Sequence, residues 1–221
     1  MLCVWLPMVQ QQFLLAQTVR YKTQKGKIRI EGTSNIDDWQ VESKNISGYL
    51  EAAPGFPGNL SPADVAHNVA GRSEIFIQVD SLRSVEKDGK PFSNLMDKIM
   101  QAKLKLQENP NIRYRLKDLI LVAQPKTQEE AYRFESRGEL VVAGVTNHIA
   151  MPINVARINA QRLKIWGNTA LRMTDFNIEP PAPKIALGVV KTGDEVKIGF
   201  EWVLAEAGRP HSGATAENLP R

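Results

Sequence analysis

Residues 195–204 read EVKIGFEWVL. Val196, Ile198, Phe200, Trp202 and Leu204 alternate with Glu195, Lys197, Gly199, Glu201 and Val203. In an extended chain successive side chains point to opposite faces, so this period of two predicts a strand with one dry and one wet face. The pattern recurs upstream. Across 132–142, Tyr132, Phe134, Leu140 and Val142 share a face with Ser136 and Gly138, while Arg133, Glu135, Arg137 and Glu139 take the other. Residues 112–122 begin with Ile112, Tyr114 and Leu116 set against Arg113, Arg115 and Lys117. Further strands are expected at 27–31, 38–41, 46–52, 73–80, 149–158 and 162–173.

Turn chemistry separates these runs. Thr192-Gly193-Asp194 and the Ala143-Gly144-Val145-Thr146-Asn147 stretch read as tight antiparallel connections. Residues 54–62, PGFPGNLSP, form a loop on composition. Residues 179–183, EPPAP, are excluded from an inner strand because proline has no ladder donor. One segment follows a different period. In 93–106, SNLMDKIMQAKLKL, Leu95, Ile99, Ala102 and Leu106 recur at helical spacing, beside a stripe of Met96, Met100 and Leu104. Ser93 is placed to cap the helix, Asp97 lies toward its positive end, and Asn109-Pro110 closes the segment. The fold class expected is all-β: an antiparallel β-barrel of about eight strands with one amphipathic helix inserted midway.

Composition bounds the rest. A chain of 221 residues with 43% hydrophobic and 24% charged residues is long enough for one large β domain and too apolar for a disordered chain. The net charge of +4 is mild. Arg113, Arg115, Lys117, Arg133, Arg137 and Arg172 are scattered and mostly alternate with apolar residues, as on a solvated strand face, so no nucleic-acid partner is expected. No apolar run reaches the ~18 residues of a membrane-spanning helix, and no stable membrane insertion is expected. A single cysteine, Cys3, excludes an internal disulfide framework.

The ends read differently from the middle. Residues 1–18 carry two apolar patches, 2–8 and 13–16, split by three glutamines. They read as an export signal lacking its basic start and cleaved near Ala16, or else as an ordinary buried N-terminal segment. Residues 19–205 form the expected domain. Residues 206–221 are small, polar and proline-interrupted, and read as a disordered tail.

Motifs for nucleotide, phosphate or zinc chemistry are lacking. His67, His148 and His211 are far apart and have no nearby cysteine, and Asp37 and Asp38 would point to opposite faces of a strand. Glu129-Glu130 reads as solvated charge in a loop. Without a nucleophile, base and orienter that can be named, neither an enzyme, a cofactor nor a metal site is expected.

Four segments carry a resemblance: 31–39, EGTSNIDDW; 94–102, NLMDKIMQA; 137–149, RGELVVAGVTNHI; and 173–178, MTDFNI. In their order and spacing the chain resembles the YceI-like proteins, bacterial lipocalin-like barrels that bind polyisoprenoids or other long apolar lipids. Asp37 stands where many relatives carry histidine, and the stretch 54–71 is long. The resemblance implies a periplasmic or secreted protein whose partner is an apolar lipid such as a polyisoprenoid. A homodimer stays open.

A barrel of about eight strands has a bore just wide enough for side chains or one slender ligand. The alternation then nominates Ile75, Ile77, Tyr114, Leu116, Phe134, Leu140, Phe200 and Trp202 as lining, with Ser136 and Gly138 leaving room. Leu95, Ile99 and Met100 on the helix would cover one end. A polar head would sit at the mouth, near Lys87, Lys90 or Asn94. Two other readings stand beside lipid carriage: a filled barrel acting as a protein-interaction or stress-related module, and an enzyme acting on a small apolar substrate.

Overall fold

The computed structural model describes residues 18–127, 130–182, 184–185 and 188–208. The expected leader, apart from its last residue, the tail beyond Gly208, His211 and Glu129 lie outside these residues. Strands β1 (Val19–Ser34), β2 (Trp39–Ser43), β3 (Ile46–Ala52), β4 (Gly71–Gln78) and β5 (Arg83–Val85) precede helix α1 (Asn94–Lys103). Then come β6 (Asn111–Ala123), β7 (Tyr132–Val142), β8 (Val145–Asn159), β9 (Arg162–Arg172), the two-residue β10 (Lys184–Ile185) and β11 (Gly188–Val189), and β12 (Thr192–Glu206).

Eight strands close a barrel. Their order is β1-β3-β4-β6-β7-β8-β9-β12, and β12 pairs back to β1, every pairing antiparallel. Closure leaves no free edge around the ring, the usual hazard of an open sheet. β1 is longer than the alternation at 27–31 suggests, and along the edge opposite β12 it serves two neighbours. Its start, Val19 to Lys22, pairs with β3, while Ile28 to Gly32 pairs with β2, which in turn carries β5. The β2–β5 flap therefore continues the wall at the end of the barrel where α1 lies, here termed the upper end.

Local chemistry explains the joints. Ala143 (φ 50°) and Gly144 (φ 83°) form the two-residue turn between β7 and β8, with Val142 opposite Val145. Two successive positive φ values match the twist of a hairpin. The turn expected at Thr192-Gly193-Asp194 is absent: these residues already belong to β12, and Ser34 pairs with Thr192. The helix begins where the cap predicts, with Ser93 Oγ accepting the Met96 N–H at 3.3 Å. It ends at Lys103, earlier than the periodicity, because Lys105 turns left-handed at φ 53°. Asp97 is buried and accepts the Ser84 N–H at 2.6 Å, tying α1 to β5.

The two halves of the bore differ. At the lower end the loop after β3 folds underneath and inserts Phe56, which is fully buried, against Phe134, ring centroids 5.7 Å apart. Tyr21, Leu121, Leu163 and Leu204 close around them at 1% exposure or less, so this half is packed solid. Arg157 donates from Nε to the Phe56 carbonyl at 3.0 Å, and Asn68 Oδ1 accepts the Leu119 N–H at 2.8 Å, fixing the loop in place.

Outside, the basic residues of β6 and β7 sit among carboxylates. Arg113 and Arg115 face Glu74 at 3.9 and 3.5 Å, and Lys117 faces Glu139 at 3.1 Å. Such exposed pairs add little stability, typically below ~1 kcal/mol each. They neutralise the strand face, as the scattered sequence positions suggest.

Candidate binding cavity

The upper half of the bore is hollow. A cavity of about 880 Å³ opens at the upper end, and its wall is overwhelmingly apolar. Ile28 and Ile30 of β1, Ile75 and Ile77 of β4, and Ile112 and Tyr114 of β6 line one side. Leu140 and Val142 of β7, Ile149 and Met151 of β8, and Leu171 of β9 continue round it. Val196, Ile198, Phe200 and Trp202 of β12 complete the wall. The apolar side of α1, with Leu95, Met96, Ile99 and Met100, leans over the opening. These helix residues are only part-buried or exposed, since what they face is the cavity and its mouth rather than packed protein.

Tyr114 and Trp202 are the lowest lining residues of their strands and make the floor. The Tyr114 hydroxyl lies 2.7 Å from Ser136 Oγ, and Trp202 donates from Nε1 to Thr23 Oγ1 at 2.8 Å. Both polar tips thus have protein partners. Burial raises the Tyr114 pKa above its ordinary value, an effect the Ser136 hydrogen bond only partly opposes. The phenol is therefore held neutral across physiological pH.

Nine of the eleven nominated residues meet at this cavity: Ile75, Ile77, Leu95, Ile99, Met100, Tyr114, Leu140, Phe200 and Trp202. Leu116 and Phe134 do not. They belong to the same inward rows but lie below the floor, where Phe56 and its neighbours fill the bore. Nor do Ser136 and Gly138 leave room for a ligand, because the Tyr114 ring occupies that space. At the mouth, Lys87 borders the opening, whereas Lys90 pairs with Asp88 at 2.7 Å and, like Asn94, stands apart from the lining.

Several lining residues go beyond that nominated set. Val196 and Ile198 continue the row of Phe200 and Trp202, so their periodicity could have found them. Ile149 and Met151 continue the inward row of Ile153 and Val155, and Leu171 that of Leu163 and Ile165, so alternation reaches them too. β8 and β9 pair only from Ile153 and Gly167 downward. Above that point the strands part, and the short helical turn Met173–Phe176 fills the gap, with Phe176 buried.

The four segments singled out in the sequence all build this upper end. Gly32 leaves the space taken by the Trp39 ring opposite it, and Ser34 Oγ accepts the Ile36 and Asp37 N–H groups at 3.2 and 3.1 Å in the intervening turn. The second segment is α1, and the third contains the β7–β8 turn. In the fourth, Asn177 closes the helical turn in the left-handed region, and the Asp175 carbonyl accepts from Asn147 Nδ2 at 2.6 Å. Among the described residues no three His, Cys, Asp or Glu side chains are grouped to hold a metal ion. No helix among them is long and apolar enough to cross a membrane.

A closed antiparallel barrel, stoppered below and hollow above, defines the class: a β-barrel with a single-ended apolar cavity. The family model described as YceI-like domain matches residues 16–204. The chain belongs to the YceI-like family. Among solved structures, a polyisoprenoid binding domain from Saccharophagus degradans, implicated in plant cell wall breakdown, matches with a TM-score of 0.60 at 11% identity. That match covers 86% of this chain and 99% of the other. BcnA of Burkholderia cenocepacia matches with a TM-score of 0.55 at 16% identity, covering 80% of this chain and 95% of the other. At these identities the likeness is one of fold. No curated protein matches the chain by sequence.

Proposed function

We propose that the protein binds one long-chain apolar lipid of the polyisoprenoid type in the upper cavity and stores or carries it outside the cytoplasm. The observation that carries this reading is the cavity itself: about 880 Å³, walled by branched aliphatic and aromatic side chains that do not meet. Packed interiors leave few voids larger than a water molecule. A hollow of this size is within the range of small-molecule sites. At the ~30 Å³ that a water-sized group occupies in a liquid, it has room for about thirty carbons, or some six five-carbon units. Each CH₂ removed from water contributes about 0.8 kcal/mol, so a few such units offset the cost of ordering the ligand.

Membership of the YceI-like family supports the same ligand class, as does the shared fold of the polyisoprenoid binding domain from Saccharophagus degradans. Location outside the cytoplasm rests on the apolar character of residues 1–16. The activity proposed is binding rather than catalysis: the wall offers shape and apolar surface, and the polar tips of its floor are already bonded within the protein.

Native mass spectrometry of the gently purified protein is the direct test. The expected result is a co-purifying apolar mass of several hundred daltons, displaced by a thirty-carbon isoprenoid alcohol. A protein that is always empty and takes up no such alcohol would overturn the reading. The mass of the mature N-terminus from the native host tests the export component separately.

A further inference from the structure

Among the described residues six large hydrophobic side chains are exposed: Ile36, Phe92, Leu95, Val122, Ile158 and Val189. Three of them, Ile36, Phe92 and Leu95, border the cavity mouth at 56%, 57% and 64% exposure. They come from separate elements: the β1–β2 turn, the segment before α1, and the first turn of α1. The backbone of Val189 is tied to the same β1–β2 turn, with Asn35 Nδ2 donating to its carbonyl at 3.3 Å. Single exposed apolar residues are ordinary, but a cluster rimming an apolar cavity marks an interaction surface.

The charges around the rim indicate what it meets. On it Lys103 is paired with Glu179 at 3.1 Å and Arg172 with Asp175 at 3.3 Å, and just outside it Lys90 is paired with Asp88 at 2.7 Å. Lys87, Glu86, Asp37 and Asp38 border the same opening. With six carboxylates to four cations among these residues, the ring is mixed in sign with a mild acidic excess, and it is no basic patch for an anionic partner. Mixed charge with a slight acidic excess repels an anionic membrane, so around a protruding apolar centre it suits a zwitterionic lipid surface, with the apolar tips among the acyl chains and the charges at headgroup depth. The apolar rim is also continuous with the cavity wall, so a chain moving between bilayer and barrel would stay out of water along its path.

We infer that the upper rim, through Ile36, Phe92 and Leu95, docks on the surface of a zwitterionic lipid bilayer and opens the cavity directly to it. The direction of traffic rests on the lipid-binding reading above, but the docking is testable without cargo.

The experiment is co-sedimentation of the full chain with phosphatidylcholine vesicles at low and high salt. It compares the wild type, the triple variant Ile36→Ser, Phe92→Ser, Leu95→Ser, and Ile158→Ser, an exposed apolar residue of β8 away from the cavity and its rim. Wild type and Ile158→Ser are expected to sediment with vesicles equally at both salt concentrations. Each rim side chain lost from hydrocarbon should reduce partitioning by about fivefold to tenfold, so the triple variant should fall by roughly a hundredfold or more. An unchanged denaturation midpoint for the triple variant verifies that the rim, and not the fold, has been altered. If that midpoint drops, Leu95→Ser alone must show a loss of at least several-fold, and the inference fails if it does not.

Wild type that stays in solution, or a triple variant that binds like wild type, would overturn the inference. So would release by salt, which would mean ionic adhesion. Sedimentation velocity showing that the same three residues join two copies of the chain would overturn it as well. Uptake of a thirty-carbon isoprenoid alcohol is measured in parallel: its absence in wild type counts against the lipid-binding reading, whereas absent sedimentation counts against docking.

Discussion

The ring of Tyr114 lies where a side chain on Gly138 would be: a Cβ at 138 would stand 2.7 Å from the ring's Cζ and closer still to the Arg115 carbonyl. This relationship sets the height of the cavity floor, because it lets the ring lie flat against β7 and reach Ser136. Gly138→Ala is therefore expected to overpack the floor and destabilise the protein by about 1–3 kcal/mol, read as a lower urea midpoint at unchanged slope.

Tyr114→Phe removes the partner of the buried Ser136 hydroxyl and should cost about 1–3 kcal/mol. It should also change the alkaline limb of the stability curve. The folded-state pKa of Tyr114 is raised by burial above its usual 10.0. Its contribution is thus complete below about pH 10 and is lost as pH climbs through the higher folded value. The difference in stability between wild type and Tyr114→Phe is expected to be constant to about pH 10 and to shrink above it, measured by thermal melts across that range.

Glu42 governs the acid side. Burial pushes its carboxyl upward, but hydrogen bonds from Lys27 (2.9 Å) and Arg29 Nε (2.7 Å), with their charges, outweigh this and lower the pKa below 4.5. A lowered folded pKa means stability present above the unfolded value and lost as pH falls through the folded one. Glu42→Gln should flatten the pH dependence below about pH 4.5 while leaving cavity contents unaffected, since Glu42 lies outside the cavity lining.

Leu140 and Phe134 lie on one strand and one face, yet they should respond in opposite ways. Leu140→Trp fills the cavity wall and is expected to weaken uptake of a thirty-carbon isoprenoid alcohol at least tenfold, with the fold retained. Phe134→Ala empties the plug around Phe56 and should cost about 3–5 kcal/mol of stability. Paired uptake titrations and urea melts check both variants, and a Leu140→Trp protein with normal uptake would displace the cavity from its proposed role.

Much of this architecture is legible in the chain before it folds. Alternation finds the inward face of β6, β7 and β12, helical spacing and Ser93 find α1, and the Ala143-Gly144 turn is visible as a hairpin. Periodicity assigns a face but not a height along the bore. That is why it groups Leu116 and Phe134 with Tyr114 and Leu140, although one pair lies below the floor and the other above or at it. The same alternation runs through β8 and β9, where Ile149 and Leu171 extend the inward rows of Ile153 and Ile165, whereas the parting of the two strands above Ile153 and Gly167 leaves no trace in it.

By itself, then, the sequence determined which side chains face inward, because two-residue periodicity is a property of the extended backbone alone. It also determined where most of the chain turns, since Gly, Asn and Pro act within a few residues of themselves. Only the tertiary structure decided where the bore is solid and where it is hollow. That depends on Phe56, brought under the barrel from a loop remote in sequence from β7, and on whether side chains from opposite walls meet across a space no local pattern records.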